Sequence, residues 1–196
     1  MNRGERELRV IGGQFRGRKF TFPEAPGLRP TPDRVRETLF NWLQASIGGS
    51  RCLDLFAGSG ALGLEALSRG AAAVTFVESN AGAVRALRAT LERFGIASGA
   101  DLQATTAERY LQLPAAPFDV VFLDPPFAAG LLAPSARALE RGGFLAEGAL
   151  VYVEAAAGDE LPLLPPAWQP HRSGKAGEVG YHLFRRAPRV AAMDPP

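Results

Sequence analysis

Asp124 is followed by Pro125, Pro126 and Phe127, and these four residues close an apolar run, FDVVFL (118–123), that reads as a buried strand. One breaker is enough to end a strand. Two consecutive prolines fix φ near about −65° twice and remove two N–H donors, so neither a helix nor a sheet ladder can continue. The backbone after the acid is therefore stiff, either as a plain rigid turn with a solvated carboxylate or as a mount for a functional one. A second stretch, DLFAGSG (54–60), runs from a strand into glycines and then a helix. Gly58 and Gly60 lack a Cβ, which lets the chain turn tightly and lets a ligand lie against it. Glu78 ends the next strand, 20 residues after Gly58, where a carboxylate can accept two hydrogen bonds from a ribose diol. The combination indicates a nucleoside cofactor. Gly58, Gly60 and Gly63 also satisfy G-x-G-x-x-G, so spacing alone leaves a dinucleotide and S-adenosylmethionine both open.

These residues need a scaffold that brings strand ends together. From residue 51 onward, strands at 51–56, 73–78, 101–106, 118–123 and 149–155 alternate with helices at 61–70, 80–94, a short one after 106, and 131–141. That alternation predicts a parallel sheet covered on both faces. FDVVFL is the most continuously apolar run and is the expected central strand. WQPHRSGKAGEVGYHLFRR reads as two strands joined by a glycine-rich turn. Ahead of the sheet, LRVIGGQFRGRKFTF (8–22) reads as a hairpin arm in which Arg9, Arg16, Arg18 and Lys19 alternate with Val10, Phe15 and Phe20. Thr31 is expected as an N-cap with Pro32 at the first helical position, for a helix that carries Val35, Leu39, Leu43 and Ile47 inward and stops at Gly48-Gly49.

At 196 residues and 46% hydrophobic, the chain fits one globular domain. No apolar run approaches the roughly 18 residues of a membrane span, and the first ten residues are charged, so a cytoplasmic protein without membrane attachment is expected. Cys52 is the sole cysteine and is expected in the core; His171 and His182 lack ligand spacing, so no metal is expected. Net charge is only +2, but residues 1–51 hold ten Lys/Arg against five Asp/Glu. A basic N-terminal segment on a near-neutral body points to a polyanionic partner.

DLFAGSGALGLEALSRG, the acid after VTFV, and DPPF resemble class I S-adenosylmethionine-dependent methyltransferases that modify exocyclic amines. RVIGGQFRGRKF, GLRPTPDRVRETLFNWL, LDLFAGSGALGLEALSRGA and FDVVFLDPPF are together similar to the RsmD-type 16S ribosomal RNA guanine methyltransferases, which act on the guanine 2-amino group. The likeness runs from about residue 8 to about 186. It implies a Rossmann-like methyltransferase fold of the α/β class: a mostly parallel seven-stranded sheet with helices on both faces and an N-terminal β-hairpin extension. The implied organisation is a basic hairpin arm and connector over residues 1–30, the methyltransferase domain over 31–188 and a flexible tail over 189–196. Carried over by position, the resemblance implies that Asp54, Phe56, Ala57, Gly58, Ser59 and Gly60 lie along S-adenosylmethionine and that Glu78 takes its ribose hydroxyls. Thr31 and Arg34 would close over its amino-acid end. Asp124 and the Pro125 carbonyl would hold the target amine, with Pro126 stiffening the turn and Phe127 stacking on the base. Where many relatives place Asp or Asn against adenine, this chain has Thr106, Ala107 and Glu108. The arm cations Arg9, Arg16, Arg18 and Lys19 would grip phosphates of 16S ribosomal RNA, within an assembling small subunit, and the enzyme would act as a monomer. Rival readings are a methyltransferase for DNA adenine or protein glutamine, an NAD-dependent oxidoreductase and a silent RNA-binding module; the oxidoreductase leaves DPPF unexplained.

Overall fold

The computed structural model describes residues 4–24, 31–126, 130–158 and 161–188. Parallel strands β3 (Arg51–Asp54), β4 (Ala73–Glu78), β5 (Ala100–Ala104), β6 (Phe118–Leu123) and β7 (Leu145–Ala156) form one sheet, completed by the antiparallel β8 (Trp168–Ala176) and β9 (Val179–Arg186). Their order is β5-β4-β3-β6-β7-β9-β8, which makes β6 the middle strand as its composition predicts. Side chains of a strand alternate between faces, and both faces here are apolar. Cys52, Val120 and Phe122 pack with α1 (Asp33–Trp42), α2 (Ala61–Ser68) and α3 (Ala81–Phe94). Leu53, Val121 and Leu123 pack on the other side with α4 (Ala107–Tyr110) and α5 (Leu132–Gly142). From β3 the chain winds outward through β4 and β5, then returns to build β6 and β7 on the opposite flank. Such a reversal leaves a crevice beyond the carboxyl ends of β3 and β6, where open α/β sheets bind ligands. Among the described residues, no helix is long and apolar enough to cross a membrane.

Three expectations are corrected by local chemistry. Thr31 is not the cap of α1: Pro32 holds that position, and the buried Thr31 hydroxyl donates instead to Glu154 Oε1 at 2.7 Å. The first helix ends at Trp42 rather than at the glycines, yet Ile47 still reaches the core because a further turn brings its N–H onto the Leu43 carbonyl. β7 begins at Leu145, ahead of the apolar run, because a bulge against β6 accommodates Ala146-Glu147-Gly148, with Gly148 at φ +71°.

The arm forms a separate antiparallel pair, β1 (Glu5–Arg9) with β2 (Lys19–Pro23). An isolated hairpin is marginal in water, so its stability must come from docking. Val10, Phe20 and Phe22 are each 1% exposed. Polar anchoring comes from α2: the fully buried Glu65 accepts the Ile11 and Gly12 N–H groups, both at 2.8 Å, and Arg69 Nε at 2.7 Å. The equally buried Arg36 lies 3.8 Å from Glu65 and donates to the Arg9 carbonyl and to Asp33. Ser68 Oγ accepts from Phe15 N and donates to the Gly12 carbonyl. Removing one partner from a buried ion pair leaves an uncompensated charge at a cost of about 3–5 kcal/mol. Glu65→Ala is expected to destabilise by that amount in urea unfolding, whereas Arg6→Ala, which breaks an exposed pair with Glu24, costs less than about 1 kcal/mol.

Candidate active site

The sheet's reversal point opens into a cleft of about 1060 Å³. Small-molecule sites usually fall between about 300 and 1,000 Å³, so this one has room for a nucleoside cofactor and part of a second substrate. The carboxyl ends of β3, β4, β5, β6 and β7 and the loops beyond them build it.

Past β3, the loop is pinned from both sides: Leu55 N donates to the Phe122 carbonyl, and Ala57 N donates to the Val77 carbonyl at 2.9 Å. Gly58 and Gly60 then take φ of +53° and +77°, the left-handed region that glycine enters without steric cost. Gly63 serves packing, since a Cβ there would stand 2.1 Å from the Phe76 ring; its absence lets α2 lie close on β4. Glu78 ties the loop to the neighbouring strand end. One of its oxygens accepts from Gly58 N at 2.7 Å and the other from Asn80 N at 2.6 Å. A carboxylate has about four acceptor sites, so two remain for a diol. The backbone curvature of the glycine loop and the spare acceptors on Glu78 fit the S-adenosylmethionine expected from the sequence.

Besides Glu78 and Glu108, three acids line the cleft along β3, β6 and β7. Asp54, 2% exposed at the end of β3, accepts from Gly63 N at 3.0 Å. Burial pushes its pKa up from 3.8 to about 7, against the lowering effect of that hydrogen bond and with a contribution from Glu78. Asp124, just past β6, is raised well above the ordinary carboxylate range, first by desolvation and then by the charges of Glu154 and Asp54. Glu154, near the end of β7 and 4% exposed, accepts from the Thr31 and Tyr152 hydroxyls at 2.7 and 2.8 Å. Burial and the adjacent Glu154 push the Tyr152 phenol up as well.

The structure brings most of the sequence-predicted residues together. Asp54, Phe56, Ala57, Gly58, Ser59, Glu78, Thr106, Ala107, Thr31, Asp124, Pro125 and Pro126 all line the cleft. Gly60 stands behind it as the cap of α2, where a Cβ would strike Leu87 at 2.5 Å. Arg34 is exposed on α1 and is not among the cleft's lining residues. Phe127 lies outside the described residues. Thr106 caps α4 by accepting from Arg109 N, and Glu108 lines the same wall. Sequence reasoning missed Asn80 and Glu154. An acid inside the otherwise apolar ALVYVEA was the available signal for the latter.

The arm cations are not equivalent. Arg18 donates to the Arg93 and Phe94 carbonyls at 2.6 and 3.2 Å and lies 4.1 Å above the Phe94 ring, so its guanidinium caps the C-terminus of α3. Lys19 pairs with Glu7 and Arg9 with Asp33, both exposed pairs, while Arg16 is open to solvent.

The fold and its cleft define a Rossmann-like methyltransferase. Residues 8–185 match the family described as Conserved hypothetical protein 95. The chain is 48% identical to "Ribosomal RNA small subunit methyltransferase D" of Escherichia coli, over 93% of this chain and 92% of that one. It is 42% identical to the protein of the same name from Haemophilus influenzae, over 91% and 94%. The solved structure of the yhhF protein of Escherichia coli superposes with a TM-score of 0.87 at 45% identity, covering 93% of this chain and 99% of that one. The chain belongs to this family, that of ribosomal RNA small subunit methyltransferase D.

Because Asp54 keeps its proton to about pH 7 when folded and to 3.8 when unfolded, its contribution to stability is full below 3.8 and is lost as pH rises through about 7. Between those values the loss is about 1.4 kcal/mol per pH unit. Urea midpoints at pH 5 and pH 7 are expected to diverge more for the wild type than for Asp54→Asn; equal divergence would contradict a buried, protonated Asp54.

Proposed function

We propose that this protein transfers a methyl group from S-adenosylmethionine to the 2-amino group of a guanine in 16S ribosomal RNA, presented within an assembling small subunit. The observation that carries this reading is the position of Asp124-Pro125: a stiff acid-and-carbonyl pair at the end of the central strand, in the same cleft as the Gly58 loop and Glu78. The names of the Escherichia coli and Haemophilus influenzae relatives support the RNA substrate.

A guanine amine is a poor nucleophile because its lone pair is delocalised into the ring. The bound cofactor supplies an activated methyl on a sulfonium. What remains for the protein is to orient the nitrogen, and positioning of this kind supplies up to about 7–11 kcal/mol in favourable systems. Asp124 accepts one N–H and the Pro125 carbonyl the other, which turns the lone pair out of conjugation and toward the methyl. The two prolines keep that carbonyl fixed. Methylation of an NH₂ group releases one proton. A carboxylate whose charged form is disfavoured by burial and by Glu154 receives it readily, so Asp124 acts as both acceptor and base. Glu78 holds the ribose, and Thr31, tied to Glu154, borders the cleft beside the strand ends.

Digestion of methylated small-subunit RNA, naked and protein-bound, followed by nucleoside mass spectrometry is expected to yield N2-methylguanosine; label on another base would contradict the reading. Asp124→Asn, which keeps an acceptor but cannot take the proton, is expected to lower kcat by about 10²–10⁴. In the wild type kcat/KM should fall on acidification at a pH well above where ordinary carboxylates titrate. Near-normal turnover of the Asn variant would rule out the base.

A further inference from the structure

Two exposed arginines of α3, Arg85 and Arg88, are in no ion pair with any described residue. They stand about one turn apart, a spacing at which like charges disfavour a helix slightly rather than support it. Neither packs in the core, which α3 reaches through Val84, Leu87, Leu91 and Phe94. Their placement relative to the arm gives them a common purpose. Strand β2 runs along α3, and the two elements clasp each other: Arg18 donates to the carbonyls of Arg93 and Phe94, and Arg93 donates back to the Lys19 carbonyl at 2.7 Å. The hairpin and the helix are thus one rigid body, with Arg16 and Lys19 on one part and Arg85, Arg88 and Arg93 on the other. That body adjoins the cleft, because Phe22 of β2 and Asn80, the cap of α3, both line it. Measured along the helix axis at 1.5 Å per residue, Arg85 and Arg88 lie about 7.5 and 12 Å from Asn80. A strand of nucleic acid that runs from the cleft over this body would carry phosphates along α3.

We propose that the outer face of α3, through Arg85 and Arg88, continues the hairpin's cationic surface and holds phosphates of the RNA whose base occupies the cleft. The inference rests on the reading of the protein as an RNA methyltransferase. Charge complementarity selects the occupant: α3 exposes the guanidinium groups of Arg85 and Arg88 against a single acid, Glu92, and guanidinium binds phosphate with several donors in a fixed fork. Sequence-independent contacts of this kind set affinity and its salt dependence, and leave the choice of base to the cleft.

Filter binding of transcribed 16S RNA between 50 and 200 mM KCl tests the proposal with three proteins: wild type, Arg85→Ala/Arg88→Ala, and Arg137→Ala/Arg141→Ala on α5, on the opposite face of the sheet. Loss of two phosphate contacts is expected to weaken binding several-fold and to make the slope of log K against log salt shallower by about 1.4–1.8. Calorimetric affinity for S-adenosylmethionine should not change in either variant, and the α5 variant should keep the wild-type slope. A wild-type slope in the α3 variant, or an equal loss in the α5 variant, would overturn the inference and leave the methyltransferase reading standing. Wild-type protein that neither binds nor methylates the RNA would overturn that reading, and the inference with it.

Discussion

Three carboxylates, Asp54, Asp124 and Glu154, end three adjacent strands and share one cleft, and the rest of the structure has to satisfy them. Removing charge from water is costly, and like charges close together raise the cost further. Each acid is accommodated differently. Asp54 keeps a proton to about pH 7 and accepts the Gly63 N–H, which fixes the start of α2 to the end of β3. Glu154 accepts from two hydroxyls, one of them on Thr31, and so fastens the segment before α1 to the far side of the sheet's crest. Asp124 retains access to the cleft, on a turn that its two prolines keep from adjusting. The consequence is a carboxylate held above its ordinary titration range, in the same cleft as the glycine loop.

The same economy of parts appears on the arm. A two-stranded sheet with many cations would be a poor grip if it moved freely. Glu65 and Ser68 bolt its turn to α2, and Arg18 joins it to the end of α3. Some of its cations therefore build the surface, and others are left to use it. A rigid charged face beside a rigid cleft would lose little conformational entropy on binding the long flexible polyanion proposed above.

Much of this was legible from residue types. Gly58 and Gly60 allow the tight turn that the loop takes, FDVVFL is the most continuously apolar run and lies at the centre of the sheet, and consecutive prolines after Asp124 allow only a stiff turn. What could not be read depended on distant partners. Arg18 has the same local signature as Arg16, yet one caps a helix more than seventy residues away and the other faces water. Thr31-Pro32 spells a helix start, but a buried carboxylate 123 residues later competes for the hydroxyl and wins. The bulge that lengthens β7 hides behind Ala146-Glu147-Gly148, whose polarity interrupts the apolar pattern. Local propensity yields to tertiary hydrogen bonding in all three cases.

The most direct measurement is a crystal structure with S-adenosylhomocysteine and a guanosine-containing oligonucleotide. The expected result has the guanine 2-amino nitrogen within about 3.2 Å of an Asp124 carboxylate oxygen and of the Pro125 carbonyl, on the side of the cleft that faces the cofactor sulfur. A base seated elsewhere, or an Asp124 side chain turned away from the glycine loop, would contradict the account.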